Sequence, residues 1–139
     1  MQKIKELMSR DVQVIGPDET IREAAQHMLK GNFGMMPVRE NDRMIGSISD
    51  RDITIRAVAG GKDPGTKVRE VMSEGIHWAY EDDSVTEVAK LMSEHQIRRL
   101  PIVNADKRLV GIVALGDFAV DKADIVIAGE ALAEISQPS

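Results

Sequence analysis

The chain repeats itself. When the 139-residue sequence is slid by 64 residues, positions 3–37 fall on 67–101, and after a one-residue slip in the next turn an offset of 65 carries on to about residue 57. The identical pairs are Lys3/Lys67, Glu6/Glu70, Met8/Met72, Ser9/Ser73, Asp18/Asp82, Glu23/Glu87, Ala25/Ala89, Met28/Met92 and Pro37/Pro101, then Arg43/Arg108, Gly46/Gly111 and Asp52/Asp117. Such self-similarity means one supersecondary unit used twice. A unit of about 60 residues buries little core alone, so the pair is the expected folding unit.

Each half carries the same local chemistry. Thr20 and Glu23 have capping-box spacing, as do Ser84 and Glu87. Ile21, Ala24, Ala25 and Met28 follow the first cap at helical spacing, and Val85, Val88, Ala89 and Met92 follow the second. This predicts two amphipathic helices of about three turns, each with one buried stripe, and Gly31 is the expected stop of the first. Apolar runs at 35–39 and 44–49, and again at 99–103 and 109–114, flank polar turns and predict two β-hairpins. A short strand at 12–15, matched by 76–79, precedes each capped helix. A second helix follows each hairpin, over 50–59 in the first half and from about Asp117 in the second. Thr66 is placed as the cap of a short helix over 67–72. The unit is thus β-α-β-β-α, with Lys62-Asp63-Pro64-Gly65 as linker. Residues 1–62 form the first repeat and 63–123 the second. Residues 124–139 form a C-terminal helical tail whose Ile125, Val126, Ile127, Ala131, Leu132 and Ile135 are too apolar for a free end.

Composition narrows the function classes. A net charge of −5 argues against DNA or RNA, whose binders carry a basic surplus on at least one face. The absence of cysteine excludes thiol catalysis, disulfides and cysteine-ligated zinc. His27, His77 and His95 show no ligand spacing, so no metal site is expected. No nucleophile lies beside a base and no phosphate-binding glycine loop is present, so no catalytic residues are assigned and the chain is not read as an enzyme. No apolar signal core and no membrane-spanning run is found, and a cytoplasmic protein is expected.

Met8-Ser9 and Met72-Ser73 open the two halves after a short helix. Each half enters a strand through proline, at Met36-Pro37-Val38 and Leu100-Pro101-Ile102. Each hairpin ends in a Gly-x-x-x-x-x-Asp element, running from Gly46 through Ser49 to Asp52 and from Gly111 through Ala114 to Asp117. This ordered set resembles the CBS domain, named after cystathionine β-synthase, in its tandem form, the Bateman module. It is similar to short stand-alone bacterial CBS-pair proteins of the stress-response type. The resemblance implies an α/β fold of two β-α-β-β-α repeats with pseudo-two-fold symmetry, packed sheet to sheet. It also implies a regulatory module that senses an adenine nucleotide (AMP, ADP, ATP or an NAD-type ligand) in a cleft between the repeats and signals to a protein partner not named by the sequence. No cofactor is required, and a homodimer is implied, with Ile53, Ala57, Phe118 and Val120 as candidate contacts. The implied ligand-binding residues are Val14, Ile15, Met35, Met36, Pro37, Ser49, Arg51 and Asp52 in the first half. In the second they are Trp78, Arg98, Arg99, Leu100, Pro101 and Asp117.

The side chains suit that chemistry. A carboxylate such as Asp52 or Asp117 can accept both hydroxyls of a ribose, and Ser49 at a strand-to-helix junction can hold a phosphate with the helix N–H groups. Capping explains the same residues without any ligand, since Asp and Ser are favoured at helix starts. The second half departs from the family pattern, because Ala114 stands where a hydroxyl is expected. It adds Arg98 and Arg99, whose guanidinium forks suit phosphate oxygens, where the first half has Gly34 and Met35. Base contacts fall to strand backbones and apolar side chains, for most of which a core position is the stronger account. Two alternatives stay open: a structural dimer with degenerate ligand sites, and a sensor of S-adenosyl ligands.

Overall fold

The computed structural model describes residues 2–120, the side chains of 119 and 120 excepted. The chain divides into two compact units. One is contiguous, Gln13–Ile76; the other is composite, joining Met1–Val12 to the chain from His77 onward.

In the contiguous unit Thr20 Oγ1 accepts the Glu23 N–H at 3.2 Å and helix α1 (Ile21–Gly31) follows, burying Ile21, Ala24 and Met28. Ala25, expected in that stripe, is exposed. It lies about 100° round the helix from Ala24, on the side that continues to Leu29, which is 83% exposed. Gly31 is the last helical residue and not the stop; Asn32 takes the left-handed conformation (φ 55°, ψ 51°) and donates its N–H to the Met28 carbonyl, a role that asparagine tolerates. Strands β1 (Met35–Glu40) and β2 (Arg43–Ser49) pair antiparallel. They are joined through Asn41 and Asp42, both at positive φ, the geometry that lets a two-residue turn follow the strand twist. The strand expected at 12–15 is reduced to one parallel bridge. The Ile15 N–H donates to the Pro37 carbonyl at 3.1 Å and its carbonyl accepts from Arg39 at 2.9 Å. The Gly16 N–H then turns to Glu19 Oε2 at 2.6 Å and the chain bends away. After β2 comes one turn of α-helix, α2 (Asp50–Asp52), which widens into a π-helix over Ile53–Val58.

The rest of this unit comes from beyond the linker. Thr66 does not cap the next helix: its N–H donates to the Asp63 carbonyl at 3.1 Å and its own carbonyl accepts from Ile21 at 2.9 Å. The short 3-10 turn Val68–Glu70 starts after Lys67 with no side-chain cap. Its Val68, with Val71, is buried in one core with Ile15, Ile21, Met36, Val38, Ile48 and Ala57.

The composite unit repeats the plan. Strand β3 (Ala79–Tyr80) lies parallel to β4 (Arg99–Val103), and β4 lies antiparallel to β5 (Leu109–Ala114). Helix α3 (Val85–His95), capped by Ser84 Oγ on the Glu87 N–H at 3.1 Å, connects β3 to β4. The expected strand at 76–79 is displaced along the chain because the parallel register sets Ala79 opposite Ile102 and Tyr80 opposite Val103. Val85, Val88, Ala89, Met92, Leu100, Ile102, Val113 and Phe118 form the core, and Ile4 and Met8 complete it. A 3-10 helix, Leu115–Val120, follows β5. The tail assigned to 124–139 lies outside the described residues.

The recurring Met-Ser pairs and glycines now have a physical reason. Ser73 and Ser47 exchange backbone hydrogen bonds of 2.8 and 2.9 Å, and Ser9 and Ile112 exchange bonds of 2.8 and 2.9 Å. Each Met-Ser segment thus adds one ladder step beside β2 or β5. A Cβ on Gly46 would collide with the Ser73 carbonyl, and one on Gly111 with Met8 and the Ser9 carbonyl, so only glycine lets the segment approach. Basic residues fasten the same segments. Lys67 and Arg69 reach Asp18 at 3.7 and 2.9 Å and Arg69 reaches Glu40 at 2.9 Å, while Lys3 and Lys5 reach Asp82 at 3.4 and 3.1 Å. Arg69 holds the Asp18 carboxyl below the usual carboxylate range, and Lys5 with Lys3 does the same for Asp82. Each unit is therefore a β-α-β-β-α set closed by an arm from the other sequence repeat.

Candidate functional site

The hairpin register brings most of the expected residues to one end of each sheet. In the contiguous unit Met35 stands opposite Ser49, the Asp50 N–H donates to the Gly34 carbonyl at 2.9 Å, and Ile15 borders Pro37 on the other side of β1. Val14, Ile15, Met35, Met36, Pro37, Ser49, Arg51 and Asp52 all belong to this unit. Ile15, Met36 and Pro37 are buried, and the Ile15 and Met36 side chains belong to the core. Val14, Met35 and Ser49 are half-buried and Arg51 is exposed.

Asp52 is the best-held polar side chain here. Its Oδ2 accepts the Ser49 N–H at 3.0 Å, and the Ser49 Oγ accepts the Asp52 N–H at 3.0 Å, a reciprocal capping box. Its Oδ1 accepts the Ser73 hydroxyl at 3.1 Å and lies 3.9 Å from the Arg56 guanidinium. Arg56 in turn donates to the Val71 and Met72 carbonyls. The side chain is 12% exposed. The residue-by-residue reading missed Ser73 and Arg56 as partners of Asp52. The recurrence of Ser9 and Ser73 was the available signal, and spacing alone does not say what a serine faces.

The composite unit has the same frame with different side chains. Arg99 stands opposite Ala114, the Leu115 N–H donates to the Arg98 carbonyl at 3.1 Å, and the Ala114 N–H donates to Asp117 Oδ2 at 2.8 Å. Half of the capping box survives without the hydroxyl. Arg98 is exposed and Arg99 half-buried, while Leu100 and Pro101 are buried in the sheet. Trp78 is drawn elsewhere: its ring meets Tyr80 edge-on at 4.9 Å between centroids, and the Lys107 ammonium stands 5.9 Å above it. Lys107 belongs to the loop at the far end of the hairpin from Arg99 and Ala114.

Two further findings bear on function. His77 and His95, 18 positions apart in the chain, stack with ring centroids 3.8 Å apart and planes 21° from parallel. Partial loss of hydration, then the charge of His95, lowers the His77 pKa below its ordinary value. Among the described residues no group of three or more metal-ligating side chains gathers. The expected dimer contacts need correction: Ala57 and Phe118 are fully buried in the cores of their own units, and Ile53 packs partly against one. Their apolar character serves folding. The large apolar side chains left exposed among the described residues are Leu29, Ile55 and Val58. The Val120 side chain lies outside the described residues, and no described helix is long and apolar enough to cross a membrane.

Known proteins share this arrangement. The CBS domain family model matches residues 4–58 and 68–120. The chain is 44% identical over 136 residues to the CBS domain-containing protein YhcV of Bacillus subtilis, covering 98% of this chain and 96% of that one. It is 36% identical over 121 residues to hypoxic response protein 1 of Mycobacterium tuberculosis, covering 86% and 84%. The crystal structure of the CBS domain pair of protein MJ0100 in complex with 5′-methylthioadenosine and S-adenosyl-L-methionine is similar at a TM-score of 0.75 and 29% identity, covering 85% of this chain and 97% of that one. With the doubled β-α-β-β-α frame and both motif sets in place, the chain belongs to the CBS-domain family as a tandem pair of CBS repeats.

Proposed function

We propose that the protein is a regulatory sensor of an adenosine-containing ligand, with one binding place at the hairpin end of each unit. The observation that carries this reading is the recurrence of a fixed carboxylate. Asp52 and Asp117 each accept the backbone N–H at the end of the preceding strand, which holds a carboxylate at the same place in both frames. A ribose offers two adjacent hydroxyls to such a carboxylate. The solved MJ0100 pair, which holds 5′-methylthioadenosine and S-adenosyl-L-methionine, supports the adenosine class, and AMP, ADP, ATP and NAD share that moiety. In this reading Ser49 and Arg51 join Asp52, and Arg98 and Arg99 join Asp117. Binding transmits a signal to a partner only if the ligand favours one conformation or assembly over another. No step in this account requires catalysis.

A thermal-shift series with AMP, ADP, ATP, NAD, NADH and S-adenosylmethionine tests it. A ligand at about a hundred times its dissociation constant adds roughly 2.7 kcal/mol, which for a chain of this size is a rise of very roughly 5–10 °C. The rise is expected to be lost in the Asp52→Asn, Asp117→Asn double variant, whose amides keep the backbone contacts but cannot accept from both hydroxyls. No rise with any of the six at millimolar concentration rejects the sensor.

A second reading is favoured by a separate observation. Both Asp52 oxygens already serve the fold, and Leu29, Ile55 and Val58 of the contiguous unit are exposed. In that reading the protein is an interaction dimer whose working surface is apolar. Light scattering decides it: a monomer that Leu29→Lys and Val58→Lys leave unchanged excludes the surface.

A further inference from the structure

Two imidazoles of the composite unit are brought together by the fold and left without a structural task. His77 stands two residues ahead of β3 and His95 is the last residue of α3. Their rings stack with centroids 3.8 Å apart and planes 21° from parallel. Both residues are exposed, so core burial does not force the contact. Among the described residues no hydrogen bond or ion pair engages either ring, and their nitrogens are uncommitted. The backbones on both sides are nevertheless held. The Gln96 N–H closes α3 on the Met92 and Ser93 carbonyls directly after His95. The parallel register that sets Ala79 opposite Ile102 fixes the chain just after His77.

Two uncommitted imidazoles at this spacing have the chemistry of metal ligands. Imidazole nitrogen suits divalent ions of the late first transition row, whereas magnesium and calcium take oxygen. Two nitrogens bound to one tetrahedral ion at 2.0–2.1 Å lie roughly 3.3–3.4 Å from each other, close to the observed ring spacing. Because the planes are tilted, one edge of the pair is narrower than the centroid distance. The torsion that spins an imidazole is broad and roughly two-fold, so a half-turn exchanges carbon for nitrogen at that edge without moving the backbone. Partial loss of hydration and the charge of His95 hold the His77 pKa below its ordinary value, which favours the neutral, ligating form of that ring. Among the described residues no third metal-ligating side chain joins the pair, so the other coordination positions fall to water.

We propose that His77 and His95 form a two-histidine site for a divalent transition-metal ion of the zinc type, with its remaining positions open to water. The site does not depend on the sensor reading and uses none of the residues assigned to an adenosine ligand. Metal there ties the chain entering β3 to the end of α3. Sequence spacing gave no sign of it, because ligands 18 positions apart meet only through the fold.

Titration of the metal-stripped full chain with zinc chloride tests this, followed by calorimetry and by proton NMR of the histidine rings. Zinc is diamagnetic, so the ring signals stay visible. One ion per chain is expected to bind, and the His77 and His95 signals are expected to shift together while that of His27, on α1 of the contiguous unit, stays in place. His77→Gln and His95→Gln should each weaken binding roughly tenfold or more, since either change removes the tethered second donor. His27→Gln should leave the affinity unchanged, and excess magnesium should not displace the zinc. A melting curve on each variant confirms folding. The site is overturned if zinc binds His77→Gln or His95→Gln as tightly as the parent, if one ring signal moves without the other, or if submillimolar zinc gives neither heat nor a ring shift.

Discussion

At the scale of single residues, the fold uses its polar side chains twice over. Asp52 closes a capping box with one oxygen and fastens Ser73 with the other. Of the two readings of that aspartate open in the sequence, capping is the one its hydrogen bonds carry out. Ser49, Asp52 and Asp117 were legible because Ser or Asp three residues apart at a strand-to-helix junction is a local pattern. The His77–His95 stack was not, because nothing local relates the residue before Trp78 to the end of α3. Its consequence is a pH response with a definite sign. The folded pKa of His77 lies below the ordinary histidine value of about 6.5, so folding favours the neutral ring. That contribution is intact above pH 6.5 and is lost as pH falls through 6.5 toward the folded value. Proton NMR of the His77 ring should therefore give a midpoint below 6.5. In His95→Ala it should move upward but not fully back, since loss of hydration is the larger cause and the His95 charge the smaller. A midpoint unmoved by that substitution would remove the coupling.

At the scale of elements, the capped helices and the hairpins followed from periodicity and caps, and the errors cluster where a neighbour decides. Ala25 and Ala89 sit at the same place in matching helices, yet one is exposed and the other 3% exposed; the i, i+3, i+4, i+7 apolar positions match, and the packing around them differs. Thr66 has the chemistry of a cap, but its backbone is taken by Asp63 and Ile21. Gly46 is the element-scale residue most open to test. Its missing side chain makes room for the Ser73 carbonyl at the added ladder step, so Gly46→Ala must push backbone against backbone. We expect a loss of about 1–3 kcal/mol in urea unfolding, with faster hydrogen exchange at the Ser73 and Ser47 amides. A variant as stable as the parent would show that the ladder step yields freely.

At the scale of the whole molecule, the doubling was legible and the partition was not. Ile4 with Met8, and Val68 with Val71, read as equivalent apolar arms, and no feature of either says which core it enters. The chain passes between units at Val12–Gln13 and again at Ile76–His77, positions that are themselves equivalent at an offset of 64. Removing residues 1–9 takes Ile4 and Met8 from the composite core and the Ser9 partner from Ile112. The expected result is loss of cooperative melting in that unit, with amides of β5 exchanging freely while those of β1 and β2 stay protected. Equal loss in both units would contradict the partition. The same exchange bears on ancestry. A half-length chain with one arm and one β-α-β-β-α set meets its need only by lending its arm to a second copy and borrowing that copy's arm in return. Joining two such genes end to end would make the loan permanent.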